Sequence, residues 1–208
     1  MSVLNKLATS LGRRDENPNI DLAKQIAGKN DKTAVKELID NLSNKSKDIQ
    51  HDCIKALYEI AYIKPSLIAP YSKQFLGLLD SKNNRMQWGA MTALSSIVKE
   101  NAKELYKMLP KVIDIADKGS VITKDHCYKI MCGLCADKTL LAKVFPLMIE
   151  FLLKSPTNQL PKYAEDTLPF ITEKNKPIFL KTLNSRLKDI ETPTKKARVE
   201  KVIKKLKD

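Results

Sequence analysis

An apolar pattern that repeats at a shift of 37 residues constrains this chain more than any other feature of its sequence. Within each repeat the apolar residues are spaced i, i+4, i+7, which is the core stripe of an amphipathic helix. The three columns of the repeat are Cys53, Ala90, Cys127 and Ala164, then Leu57, Leu94, Met131 and Leu168, then Ile60, Ile97, Leu134 and Ile171. The sequence therefore predicts the same helix four times.

A second apolar stripe precedes the first one in every repeat. Its columns are Leu38, Phe75, Val112 and Ile149, then Leu42, Leu79, Ala116 and Leu153. Short polar runs separate the two stripes, at residues 43–47, 80–84, 117–120 and 155–158, and these are long enough only for turns. Each repeat is thus a helix pair. Because one pair cannot bury both stripes alone, the pairs are expected to stack around a continuous core as an all-α solenoid.

The ends of the chain follow the pattern less closely. Residues 33–173 hold the four 37-residue units, and residues 174–208 form a shorter, basic unit that we interpret as a C-terminal cap. Residues 1–30 read as a degenerate N-terminal cap, a weak helix pair at 2–11 and 20–27 that is broken near Pro18. With no Gly or Ser linker, residues 1–208 are predicted to be one domain of about five to six helix pairs.

The repeat resembles the HEAT repeats of the armadillo-type helical proteins. Pro70, Pro110 and Pro146 stand in first helices, Asp80 and Asp117 stand at turns, and residues 85–97 (RMQWGAMTALSSI) match the second helix of that family. Two features depart from it: the early basic residue is clear only at Arg85, and the period is shorter than the roughly 40 to 47 residues usual there. The resemblance implies a right-handed α–α superhelix whose second helices line a concave face.

Composition narrows the classes of protein further. No run of about 18 apolar residues is present, so we expect no membrane span, and cytoplasm, or the nucleus in a eukaryote, is the expected location. The net charge of +13 is concentrated at the C-terminus, where residues 174–208 hold 12 of the 37 Lys and Arg but 4 of the 24 Asp and Glu. Such lysines either contact phosphates or solvate the outer face of a cap.

The four cysteines are interpreted as buried thiols. Cys53 and Cys127 occupy a column that alanine fills in the other units. Cys132 and Cys135 form a CxxC near His126, but the motif lies late in a helix and lacks further metal ligands. The sequence predicts no cofactor and no metal.

The candidate binding surface is the face of the second helices opposite their core stripe. Trp88, the only tryptophan, falls off that stripe and could form an apolar anchor with its neighbours, unless Trp88 and Met91 instead pack between units. The predicted binding residues are Trp88, Tyr58, Tyr62, Met91, Tyr128, Lys55, Lys129 and Lys162.

No catalytic motif is recognisable, because the chain has no Gly-rich phosphate loop, no GxSxG and no HExxH. We therefore expect a non-enzymatic scaffold that binds a helix or peptide of a partner protein on its concave face; oligomeric state is left open. The alternative is a nucleic-acid-binding protein that uses its basic C-terminal unit together with Lys129 and Lys162. A weaker alternative is a DNA-glycosylase-like enzyme, since Asp125 follows Trp88 at the repeat distance and that group resembles a HEAT solenoid.

Overall fold

The structure, a computed structural model, describes residues 2–207, and in these the protein is all-α. The helices are α1 Asn17–Lys29, α2 Lys32–Asp40, α3 Lys47–Ile63, α4 Pro65–Ile68, α5 Ser72–Leu78, α6 Asn84–Ser96, α7 Ala102–Lys118, α8 Val121–Cys135, α9 Lys138–Lys154, α10 Leu160–Thr167, α11 Lys176–Arg186 and α12 Pro193–Lys207. Short 3-10 segments are Val3–Lys6, Thr9–Leu11, Asn41–Ser43, Ala69–Tyr71, Leu168–Phe170 and Leu187–Asp189.

The helices group into two compact units, Met1–Ile130 and Met131–Asp208, with the boundary inside α8. In the first unit α3 packs against α1 on one side and α6 on the other, while α2 packs on α3 and α5 on α6. In the second unit α11 packs against α9, and α12 packs against α10 and α11. A single continuous domain over residues 1–208 stays a prediction.

The predicted turns and core columns agree with the structure almost throughout. Each predicted turn lies at a junction between helices, although Asp117 and Lys118 still belong to α7, and the residues of the first three units in the 53, 57 and 60 columns are completely buried.

Two places differ from the prediction. Leu153 is exposed, and Leu152 is buried in its place. Helix α9 is apolar on most sides, so its apolar period alone does not show which of two adjacent residues is buried. In the fourth unit α10 ends at Thr167, so Leu168 and Ile171 lie beyond the helix and are only half-buried.

Polar side chains fix where several helices begin. Asp31 accepts a hydrogen bond from the Ala34 amide at the start of α2, and Asp137 accepts one from the Thr139 amide at the start of α9. Asn83 does the same for the Arg85 amide at the start of α6. These caps satisfy amides that have no partner within the helix, and they explain why the polar runs end where the helices start.

The N-terminal segment differs from the predicted weak helix at residues 2–11. It contains only the 3-10 turns Val3–Lys6 and Thr9–Leu11. The amides of Ala8 and Thr9 donate to Asn19 Oδ1 (2.9 Å) and Asp52 Oδ2 (2.7 Å), side chains of α1 and α3, instead of to a carbonyl one turn earlier. The segment is thus fixed by tertiary hydrogen bonds that sequence periodicity does not report.

The contact between α3 and α6 depends on a glycine. A Cβ at Gly89 would lie 2.6 Å from Cγ1 of Ile54, a completely buried β-branched residue with little freedom to rotate. Gly89 therefore permits an approach of the two helices that any side chain would prevent.

In the second unit one arginine closes the end of α9. Arg186 of α11 donates from Nη1 to the carbonyl oxygens of Leu152 and Leu153 (2.6 Å each) and from Nη2 to that of Ser155 (3.0 Å). These carbonyls lack partners within the helix. Arg186 thereby joins α9 to α11 through a largely buried side chain.

Substitution of Gly89 by alanine should destabilise the protein by about 1–3 kcal/mol, because the new Cβ overlaps Ile54 in a packed contact. The matched control is Gly28→Ala in α1, where a Cβ meets nothing within 4 Å; it should raise stability by about 0.5–1 kcal/mol, since alanine favours the helix. Urea unfolding followed by circular dichroism measures both. Equal stabilisation by the two substitutions would contradict the close packing of α3 and α6.

Substitution of Arg186 by alanine should cost about 1–3 kcal/mol, because it leaves carbonyls at the end of α9 without their charged donor. Arg198→Ala is the control, since Arg198 pairs with Glu165 at an exposed position and should contribute no more than about 1 kcal/mol. Thermal melting of both variants decides the point. A loss at Arg198 as large as that at Arg186 would refute the capping role.

Candidate functional site

Three aromatic side chains form a row across α3 and α6. The ring centroid of Tyr58 lies 6.0 Å from that of Tyr62 and 5.9 Å from that of Trp88. Tyr58 is nearly buried, Trp88 is partly buried, and Tyr62 is 50% exposed at the end of α3. We call these three residues the aromatic row. Its exposed end is the ring of Tyr62.

Lys55 lies against this row. Its Nζ atom is 4.8 Å from the ring centroid of Tyr58 and forms an ion pair with Glu59 at 2.7 Å, although the residue is only 7% exposed. Burial by itself would lower the pKa of Lys55, but the hydrogen bonds with Glu59, Tyr58 and Glu16 outweigh it and raise the pKa above the ordinary value. Lys55 is therefore a fixed positive charge at any physiological pH.

The carboxylate of Glu16 connects three helices at one point. Glu16 immediately precedes α1; its Oε2 pairs with Lys55 of α3 at 3.0 Å, and its Oε1 accepts from Nη2 of Arg85 in the first turn of α6. The Nε atom of Arg85 is buried, and no partner for it exists among residues 2–207. This arginine is thus only partly satisfied within the chain.

A cleft of about 420 Å³ lies beside this ion-pair cluster. Its lining combines Arg85 and Glu16 with His51 and Asp52 of α3 and with the loop that contains Arg13. Asp52 is already satisfied by the Thr9 amide and by Asn19 Nδ2 (2.7 Å), and His51 Nε2 is hydrogen-bonded to Asn83 (2.8 Å). Asp52 and His51 are therefore held by partners of their own, whereas Glu16 and Arg85 share a contact in which Arg85 keeps one donor unused.

The predicted binding residues do not all meet at one surface. Tyr58, Tyr62, Trp88 and Lys55 are brought together as described. Met91 and Tyr128, which were expected to flank Trp88, are completely buried, so the structure excludes them from a surface anchor. For Met91 the reason is that α6 packs against both α3 and α5, so that its buried arc is wider than the i, i+4, i+7 stripe.

The two remaining lysines lie elsewhere. Lys129 is exposed on α8 in the first unit. Lys162 belongs to the second unit, where its Nζ pairs with Asp166 at 3.1 Å and lies 5.4 Å from the ring centroid of Tyr163. Neither lysine adds to the aromatic row in the contacts described.

Sequence reasoning did not identify Glu16 as part of the site. Arg85 was visible as the basic residue of the HEAT-like pattern, but Glu16 lies in an irregular loop 69 residues away, and the repeat carries no information about that loop. A partner for Arg85 among the acidic residues could have been sought, but nothing in the sequence distinguishes Glu16 from the others.

The cysteines are placed as structural residues. Cys53 and Cys127 are completely buried, which confirms the expectation from the repeat. Burial raises the pKa of Cys53 and of Cys135 to about 12 and also raises that of Cys132, and Cys135 Sγ contacts Met148 Sδ at 3.4 Å. Among residues 2–207, no group of three His, Cys, Asp or Glu side chains is arranged to hold a metal ion.

The second unit carries many exposed lysines but uses its arginines internally. Arg186 caps α9, and Arg198 forms a two-point ion pair with Glu165. Exposed lysines on α12 are Lys196, Lys201, Lys204, Lys205 and Lys207. Arginine is the better group for two-point phosphate binding, so the side chains best suited to nucleic acid are already engaged in this unit.

Comparison with known proteins defines a fold and no family. No protein-family model matches the chain, and no curated protein is similar to it. A crystal structure described as an engineered protein is similar with a TM-score of 0.66 and 15% sequence identity, over 100% of this chain and 97% of that one. At this identity the likeness concerns the fold alone, so the HEAT resemblance stays a prediction.

None of the helices within residues 2–207 has the length and apolar character needed to cross a membrane.

The native protein should react slowly with Ellman's reagent, because the thiolate is the reactive form and burial keeps these thiols protonated at pH 8. We expect the rate to be at least about tenfold below that of the unfolded chain, in which all four cysteines should react at the rate of a free thiol. Absorbance of the released thionitrobenzoate measures both rates. Rapid reaction of Cys132 or Cys135 in the folded protein would restore the redox interpretation of the CxxC.

Proposed function

We propose that this protein is a non-enzymatic interaction scaffold, a HEAT-like right-handed solenoid that binds a helix or peptide of a partner protein on the face formed by α3 and α6. The observation that carries the proposal is the aromatic row. Interfaces draw most of their affinity from a few aromatic and arginine side chains surrounded by a polar rim, and here Tyr62 and Trp88 lie beside Lys55, Glu59 and Arg85.

The packing of the helices supports the same assignment. Helices α1, α3 and α6 lie in sequence against one another, with α2 packed on α3 and α5 packed on α6, as neighbouring repeats of a solenoid do. A rigid base of this kind lets a few side chains bind without the entropic cost of ordering a loop. Tyr62 is exposed because the row extends beyond the buried core at the end of α3.

The exposed lysines of α12 favour one alternative, the binding of nucleic acid by the C-terminal unit. That binding would weaken steeply with salt, since each lysine–phosphate contact releases a counterion, and it would not depend on the aromatic row. Anisotropy of labelled duplex DNA at several salt concentrations, compared between wild type and Tyr62→Ala, separates the two functions.

Peptides selected from a random phage-displayed library against the wild-type protein should lose at least about 1 kcal/mol of binding free energy with Tyr62→Ala, because this side chain is exposed and available as an anchor. Trp88→Ala should weaken binding as well. Ile122→Ala is the control, since Ile122 is a comparably exposed apolar residue on α8 outside the row.

Fluorescence anisotropy of the selected peptides gives the affinities, and melting temperatures show whether each variant keeps its fold. If no peptide is selected, or if Ile122→Ala weakens binding as much as Tyr62→Ala, the assignment of this face is wrong.

A further inference from the structure

We propose that the α3–α6 face binds a partner through a carboxylate at Arg85 and Lys55, and that Glu16 occupies this position in the free protein as an internal substitute. The inference rests on the proposed function and adds the chemistry of the partner: an acidic peptide whose Asp, Glu or terminal carboxylate lies next to an apolar side chain.

The hydrogen bonds of Arg85 give the first argument. The Nε–H and Nη2–H groups of a guanidinium point to the same side and together match the two oxygens of one carboxylate. In this protein Glu16 Oε1 takes only Nη2, because Glu16 Oε2 is bound to Lys55, and Nε is left buried without a partner within residues 2–207. A buried donor without an acceptor is unfavourable. An incoming carboxylate that takes both groups would remove that cost.

The position of Glu16 gives the second argument. Glu16 lies between an irregular loop and α1, its side chain makes no cap for that helix, and it is 42% exposed. Rotation of this side chain alone would free Arg85 and remove one of the two carboxylates that pair with Lys55, and no helix would have to move. The adjoining cleft of about 420 Å³ is open on the same side and leaves room for an entering chain.

The surrounding charges select a carboxylate in preference to a phosphate. Asp48 and Asp52 line the same cleft as Arg85, and Glu59 holds Lys55. Of the two further arginines in the lining, Arg13 is already paired with Asp15, which leaves Arg14 as one added positive charge. The fixed negative charges would repel a doubly charged phosphate more strongly than a single carboxylate. The site already holds one carboxylate of the chain itself, so its charge balance is suited to one such group.

The aromatic row specifies the neighbour of that carboxylate. Arg85 and Trp88 are three residues apart on α6 and therefore lie on the same side of the helix, one turn from each other. A partner whose carboxylate binds Arg85 would place an adjacent apolar side chain near Trp88 and Tyr62. The recognised sequence is thus an acidic residue close to a large apolar one.

The test uses the fluorescein-labelled, C-terminally amidated peptide Glu-Glu-Phe-Leu-Glu-Glu and its all-Gln counterpart Gln-Gln-Phe-Leu-Gln-Gln, amidated in the same way so that neither carries a terminal carboxylate. Because Glu16 competes for the same cations, it lowers the apparent affinity by the fraction of time that the position is free. Glu16→Ala should therefore bind the acidic peptide about tenfold more tightly than wild type, as should Glu16→Gln to a smaller extent. Neither variant should gain affinity for the Gln peptide.

Two controls separate the effect of the position of Glu16 from the effect of a change in net charge. Asp15→Ala removes a carboxylate from the same loop, but one that pairs with Arg13 and not with Arg85, so affinity should stay within about twofold of wild type. Arg85→Ala should abolish the gain when it is combined with Glu16→Ala. Circular dichroism confirms the fold of each variant.

An equal gain from Asp15→Ala and Glu16→Ala, an unchanged affinity in Glu16→Ala and Glu16→Gln, or a gain that survives loss of Arg85 would each overturn the inference. So would the absence of acidic-peptide binding in every variant, or displacement of that peptide by inorganic phosphate at equal concentration. These failures remain distinct from failure of the scaffold proposal, which stands as long as library-selected peptides depend on Tyr62.

Discussion

The close contact of α3 with α6 is the constraint on which the first unit depends. Gly89 allows the two helices to meet at Ile54, and this approach brings Trp88 of one helix against Tyr58 of the other and places Arg85 within reach of the carboxylate that also binds Lys55. A wider separation would break both the aromatic row and the ion-pair cluster. Packing in the core and chemistry on the face are thus linked through one residue without a side chain.

The ion-pair cluster illustrates how a charge can be kept nearly buried. Lys55 is tolerated because two carboxylates, Glu59 and Glu16, and the ring of Tyr58 surround its ammonium group. The guanidinium of Arg85 has fewer partners, since it shares Glu16 with Lys55 and keeps one donor unused. The two cations therefore differ: Arg85 keeps a hydrogen-bond donor that a partner could use.

Much of the fold could be predicted from the sequence, but little of the site. Apolar periodicity located most helices and their buried residues, because each repeat must bury its stripes. It failed at Leu153, where α9 is apolar on most sides, and at Leu168 and Ile171, which lie beyond the end of α10. It could not show that Met91 and Tyr128 are completely buried, nor that the N-terminal segment is fixed by Asn19 and Asp52. Contacts such as Glu16 with Arg85 join an irregular loop to a distant helix and leave no periodic signal.

Trp88 emission offers the most direct measurement of the central claim, that partners bind on the α3–α6 face. Because the chain has a single tryptophan, its fluorescence reports on that face alone. Titration with a selected peptide that lacks tryptophan should shift the emission to shorter wavelength and saturate with the same affinity as the anisotropy, since the partly exposed indole becomes covered. A peptide that binds by anisotropy while the emission of Trp88 stays unchanged would show that the partner binds elsewhere.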